Sequence, residues 1–308
     1  MTQTSARLVG DTFKLGYRRQ SYWGRSIATA FFCAEVGAGT FLVSLYYDCL
    51  IGMMIGLALA GILKPYYHIA HMGVPLNSWR AVTRVDRSWV SRGTIAIACL
   101  VVFGLLHVID RSIGLYAALG LPPQVGIAVK SLAVAGALVL TVYQGMAMSA
   151  SESFTLWASP LVPAASLCYS LTAGALTVLT LVSATGTLDA AQRTGLIKLL
   201  EIFLALDFLV VLGILLHVKN KSEGGAFSVD LLLKGELAGR FRGLVFMVGI
   251  ALPFLLLLFG GANWLFLAAG WIAMLIGFHT FRVSMFRAAV FEPITHDLAG
   301  SIGLPGAR

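Results

Sequence analysis

Residues 61–93 read GILKPYYHIAHMGVPLNSWRAVTRVDRSWVSRG. An apolar helix runs into Lys64, Tyr66, Tyr67, His68 and His71, breaks at the turn HMGVPLNSW, and is followed by Arg80, Arg84, Arg87 and Arg92 before the next apolar run opens at Gly93. A change from apolar to basic and aromatic over so short a distance marks the edge of a bilayer, where Tyr, Trp and Arg anchor helix ends. The rest of the chain agrees. With 58% hydrophobic and 12% charged residues and a mean hydropathy of +0.86, a 308-residue chain has too little polar surface to cover itself in water. It reads as one integral membrane domain over residues 1–308, with lipid as its solvent. The net charge of +8 then concerns membrane orientation rather than nucleic acid.

Apolar runs long enough for a hydrocarbon core of about 30 Å are expected at about 26–46, 50–70, 93–109, 125–149, 159–183, 194–218, 243–260 and 263–286. The fold class is therefore all-α, eight transmembrane helices arranged as two four-helix bundles. The tight joins Tyr47-Asp48-Cys49 and Gly260-Gly261-Ala262 predict two helical hairpins. The first 25 residues are polar and basic, so no cleavable signal is expected.

An even number of spans puts both termini on one side. That side carries 17 Lys and Arg, the other only Arg111 and Arg193. The asymmetry predicts a cytoplasmic location for both termini and for residues 61–93, in the inner membrane of a bacterium. The same side has the longer connections, which suggests a docking face. On the other side, DRSIGLYAALGLPPQ suits a short interfacial helix. A faint internal echo links helix one, FFCAEVGAGTFLVS, to helix five, SLCYSLTAGALTVL: in each, a cysteine precedes an Ala-Gly pair by five residues. Small residues there allow close helix approach, with or without a duplication. If the echo is a duplication, Glu35 is matched by Ser170, and an acid kept in only one half points to a working site in the first bundle.

Cys33, Cys49, Cys99 and Cys168 are far apart and form no CxxC pair, so no iron–sulfur cluster is expected in this chain. Charges at membrane depth are costly and need a partner or a purpose. Glu35 is the first such residue. Lys130, Lys198, Glu201 and Asp207 are the others; with Glu35 they outline a proton route, while Lys198 and Glu201, three apart, suit a local ion pair. His68, His71, His217 and His279 fall near inner helix ends, as axial ligands of a haem b would. No facing pair is singled out, and the helix dipole alone favours histidine there, so haem b is not expected.

The inner border suits a quinone, whose flat head group needs hydrogen-bond donors beside an apolar wall for its tail. His, Tyr, Lys and Arg are donors, Trp and Tyr give ring contacts, and a histidine near water can handle the protons of reduction. The plainer reading is that these residues only anchor helix ends.

The pattern HMGVPLNSWRAV followed by RSWVSRG resembles the anchor subunit of dimethyl sulfoxide reductases, where a His-Leu-Gly-x-Pro-Leu-Asn turn leads through a short amphipathic segment to a Ser-x-Leu-Ser element opening helix three. The larger polysulfide reductase (NrfD-like) family shares this border more loosely. The Trp23 to Gly39 stretch with its GAG, and YQGMAMSASESFTLWASPLVPA, similar to the Tyr-x-Gly end of the family's helix four and its Pro-rich start of helix five, extend the resemblance over most of the chain. It implies a quinone-binding anchor subunit (menaquinone or ubiquinone) with no catalytic metal of its own. It further implies docking to a ferredoxin-like subunit with four iron–sulfur clusters and, through it, to a large molybdopterin catalytic subunit. The implied site is in the first bundle: His71 and Arg80 or Arg92 as donors, Trp23 or Trp89 near the ring, the Ser88, Ser91 and Gly93 element beside it, and Glu35 below. Where the sulfoxide reductase anchor has a glutamate opening helix three, this chain has Gly93. Two rival expectations are a haem b-bearing anchor and a secondary transporter; against the latter, no span is broken by Gly and Pro at matched positions of two halves.

Overall fold

The computed structural model describes residues 18–186 and 189–292. Arg7, Lys14 and Arg308, counted in the charge asymmetry, and most of the stretch read for a signal lie outside them. Eight helices are long and apolar enough to cross a membrane: α1 (Arg25–Tyr46), α2 (Leu50–His71), α3 (Trp89–Ile113), α4 (Pro123–Ser149), α5 (Leu161–Thr185), α6 (Ala190–Lys221), α7 (Ala238–Gly260) and α8 (Trp264–Arg287). The protein is an all-α, multi-pass membrane protein.

Local chemistry sets the helix ends that hydropathy leaves vague. The α3 helix starts four residues before its apolar run because the Ser88 hydroxyl accepts from the Ser91 amide at 3.3 Å, and it stops at Gly114, which adopts φ +67°. Asp189 and Gln192 form a reciprocal capping box that starts α6 early. The α1–α2 join turns through Asp48 at φ +53°, and the Asp48 carboxylate receives the Arg111 guanidinium from the end of α3. The expected interfacial helix is a single turn, Leu115–Ala118.

Two apolar cores result. Ala34, Phe41, Met53, Leu57, Leu100 and Ala137 form one among α1–α4. Phe31, Tyr169, Leu204, Phe241 and Phe278 belong to the other, which joins α1 to α5–α8. Thus α1 serves both, and with α5 it forms the spine of the molecule: 72% of the central window of each is buried, against 39% or less in the other six. The two spines touch at the echoed Ala-Gly pairs. A Cβ on Gly39 would lie 1.7 Å from the Ser170 carbonyl oxygen, and one on Gly174 would lie 2.2 Å from that of Gly39. Glycine is required there by contact between backbones.

Two spans contain π-helical segments, Leu59–Leu63 in α2 and Phe241–Ala251 in α7. A proline follows each by two residues, Pro65 and Pro253. Proline cannot donate to the preceding turn and its ring crowds the carbonyl four residues back, and the wider π turn relieves that crowding.

The side carrying the described ends, Arg18 and Glu292, is knitted together. Strands β1 (Arg18–Arg19) and β2 (Val290–Phe291) pair antiparallel, and Phe154 of the α4–α5 turn bridges to Phe291. Ser222 donates to Glu292 at 2.5 Å and caps a further helix, Glu223–Leu233, that buries Val229, Leu231 and Leu232. This helix occupies what reads in the sequence as a long loop.

Candidate functional site

A cleft of about 360 Å³ opens between the terminus-side ends of α1–α4 and the turn that follows α2. Its polar wall comes from one face of α2. Met53, Leu57, Ala60 and Lys64, spaced four, three and four residues apart, are all buried along one stripe. The last position of that apolar stripe is therefore a lysine, 6% exposed and unpaired with any carboxylate among the described residues. It lies seven residues before His71, about 10 Å along the helix, and its Nζ is 5.7 Å from the centre of the Tyr143 ring. His68 and His71 line the same cleft one and two turns on, and His68 Nδ1 is buried without a hydrogen-bond partner.

The remaining walls are rings and aliphatic chains. Tyr143 comes from α4, Ile27 and Phe31 come from the first turns of α1, and Trp23 comes from the segment just before it. Trp23 is held by stacking on Trp157 at 5.0 Å, and Trp157 donates its indole N–H to the Met285 carbonyl at 2.8 Å. Tyr143 lies against Gly93, where a Cβ would come within 2.3 Å of the ring. Gly93 thus makes room for a tyrosine. One turn farther from this end, a second, apolar groove of about 250 Å³ lies between α2 and α3, lined by Gly61, Ile62, Val101 and Leu105.

Of the expected site residues, the cleft brings together Trp23 and His71. Arg80 is exposed in the 3₁₀ segment Pro75–Val82, 5.6 Å from the Trp79 ring. Ser88 caps α3, and Ser91, whose amide it holds, is buried. Arg92 lies 4.5 Å from the Trp89 ring centre and donates to the carbonyls of Val85 at 2.9 Å and Asp86 at 3.0 Å. Ser88, Trp89, Ser91 and Arg92 build the junction of the loop with α3, and neither they nor Arg80 are among the residues lining the cleft.

Glu35 requires a correction. It was expected to serve the first bundle, but its Oε1 accepts from Arg282 Nη2 of α8 at 2.6 Å, with both side chains fully buried. The same Nη2 lies 2.7 Å from the Ser166 hydroxyl of α5. Glu35 therefore reaches across to the second bundle, and Arg282 is no loop cation; among the described residues the charge asymmetry is 13 against 2.

Nor do the other members of the expected proton route assemble. Lys130 and Lys198 are exposed, Glu201 is partly so, and no ion pair joins Lys198 to Glu201. Asp207 alone is buried, receiving the Thr172 hydroxyl at 2.6 Å. His217 is exposed, while His279 shares a 2.9 Å hydrogen bond with Thr29. Among the described residues no group of three or more His, Cys, Asp or Glu is placed to hold a metal ion. Sequence reasoning missed Lys64 and Tyr143 as site residues, although the stripe ending in Lys64 is visible in the sequence. No family model matches the chain, and no curated protein matches it.

Proposed function

We propose that this chain is the quinone-binding anchor subunit of a molybdopterin and iron–sulfur oxidoreductase complex in a bacterial inner membrane. In this reading it passes electrons between a ferredoxin-like subunit with four iron–sulfur clusters and the membrane quinone pool. The observation that carries the proposal is the cleft: a buried, unpaired ammonium and two imidazoles converge on a space walled by Trp23, Phe31 and Tyr143. A quinone ring offers two carbonyl oxygens to such donors and a flat face to such rings. The groove past Gly61 and Val101 would take the isoprenoid tail. Reduction consumes two protons along with two electrons, and His71, at the helix end beside the exposed turn, can pass them inward from water. That turn exposes Val74, Leu76 and Trp79 among its arginines, a mixed surface suited to a protein partner.

Comparing two activities of the purified complex tests the proposal: turnover with membrane quinone and turnover with a soluble dye that bypasses this subunit. A hydrogen bond from a charged donor is worth about 1.5 to 3 kcal/mol, so Lys64→Met is expected to lower quinone turnover roughly ten- to hundredfold, leaving dye turnover intact. Quenching of tryptophan fluorescence by a short-chain naphthoquinone, weakened in the same variant, gives a readout independent of turnover. Unchanged quinone turnover and quenching in both Lys64→Met and His71→Ala would overturn the reading. A Soret band in the purified chain would favour a haem-bearing anchor, and substrate uptake by vesicles holding this chain alone would favour a transporter.

A further inference from the structure

On the terminus side, away from the quinone cleft, a second depression of about 260 Å³ opens between α1, α7 and α8. Its rim is cationic: Arg25 from the first turn of α1, Arg240 near the start of α7 and Arg287 at the end of α8. All three are exposed, and none pairs with a carboxylate among the described residues. No acidic residue lines the depression, whereas Thr280 and Ser284 add hydroxyls. Its floor is apolar, formed by Leu237, Leu244 and Val283.

Positive charge near the inner ends of helices is general, but orientation requires only that such charges be present along the connections. Here three guanidiniums from three separate helices converge on one hollow. Guanidinium is the side-chain group best matched to phosphate oxygens, which it can bind through two parallel hydrogen bonds. A rim for phosphate above a floor for hydrocarbon describes an amphiphile. Basic pockets between helices at this membrane level suit anionic lipid head groups.

We infer that this hollow is a binding site for an anionic phospholipid, its phosphate held by Arg25, Arg240 and Arg287 and its upper chain lying on Leu244 and Val283. The site fastens α1, the spine shared by both bundles, to the α7–α8 hairpin. It does not depend on the quinone reading.

The test uses the full chain, purified in detergent and offered phosphatidylglycerol and phosphatidylcholine of identical chains in equal amounts, with lipid retention read by native mass spectrometry. Wild type is expected to retain phosphatidylglycerol preferentially. Each surface cation contributes about 1 kcal/mol toward an anionic lipid, about fivefold in affinity. Arg25→Gln/Arg240→Gln/Arg287→Gln together should therefore weaken retention by about a hundredfold. The corresponding triple Lys variant should retain most of it, and Arg84→Gln/Arg87→Gln on the exposed turn should bind as wild type does. Inorganic phosphate in excess should not displace the lipid. The inference fails if the triple Gln variant keeps its lipid preference, if the Arg84/Arg87 variant loses it equally, or if phosphate competes, which would indicate a site for small anions.

Discussion

The Glu35–Arg282 pair is the most consequential side-chain contact in the membrane interior. Two charges withdrawn from water are tolerable only together, and removing one leaves the other uncompensated at a cost of about 3 to 5 kcal/mol. Glu35→Ala or Arg282→Ala should each lower the thermal unfolding temperature of the purified chain markedly, whereas Glu35→Leu with Arg282→Met should recover much of the loss. If Glu35 instead handled protons for quinone, Glu35→Ala would abolish quinone turnover without loss of stability. Nothing in the sequence near Glu35 announces a partner 247 residues away, and Arg282, five residues before the end of its helix, reads as the first charge of a cytoplasmic tail. Lys64 was legible in principle, because a lysine that continues the stripe of Met53, Leu57 and Ala60 must face inward. Arg80 and Arg92 carry the motif that suggested them as donors, but in Arg92 the guanidinium is occupied by loop carbonyls. Its replacement by Ala should loosen the loop and leave naphthoquinone quenching within about threefold of wild type, since no hydrogen bond to the ligand is removed.

At the scale of elements, hydropathy located the spans because every one of them is bounded by polar residues, and it missed their ends because capping extends a helix beyond its apolar run, as Ser88 does for α3. The helix Glu223–Leu233 was hidden for a different reason: Gly224 and Gly225 fall in its first turn and read as loop. The π segments were hidden too, since the widened turn shifts the apolar pattern by only one residue. What the sequence did contain was the crossing of α1 and α5, in its repeated Ala-Gly pairs. Gly39→Leu should force the two spines apart, because the group it would displace is the Ser170 backbone; overpacking of this kind costs about 1 to 3 kcal/mol and often more when backbone must move. Gly195→Ala in α6, with nothing within 4 Å of the added methyl group, is the matched control and should stabilise by up to about 1 kcal/mol through helix propensity alone. Thermal unfolding of both variants, each compared with wild type, decides whether the crossing or the general presence of glycine matters. Equal effects would mean that the spines are not tightly joined.

For the whole molecule, the structure gathers both described chain ends, the cleft beside Lys64 and His71, the exposed turn 73–88 and the basic hollow at one end of the bundle, and leaves Asp48, Arg111 and the single-turn helix Leu115–Ala118 at the other. With Arg282 in the interior, the described residues still give a charge asymmetry of 13 against 2, so its sign is unaffected and the crowded end is expected to face the cytoplasm. Two exposed positions can report this: Leu76, 90% exposed on the turn after α2, and Leu119, 63% exposed just beyond the single-turn helix. In a chain whose four cysteines are replaced by serine or alanine, Leu119→Cys should react with a membrane-impermeant maleimide added to intact cells, and Leu76→Cys only after lysis. The outcome bears directly on the partner. A cytoplasmic Leu76 would place the proposed iron–sulfur and catalytic subunits in the cytosol, and adding them should then shield Leu76→Cys from the maleimide in lysed membranes. Labelling of Leu76→Cys in intact cells would invert the chain, put any docked subunits outside, and require that they be exported; shielding of Leu119→Cys by the partners would move the docking face to the opposite end from the cleft, and electrons could no longer enter beside His71.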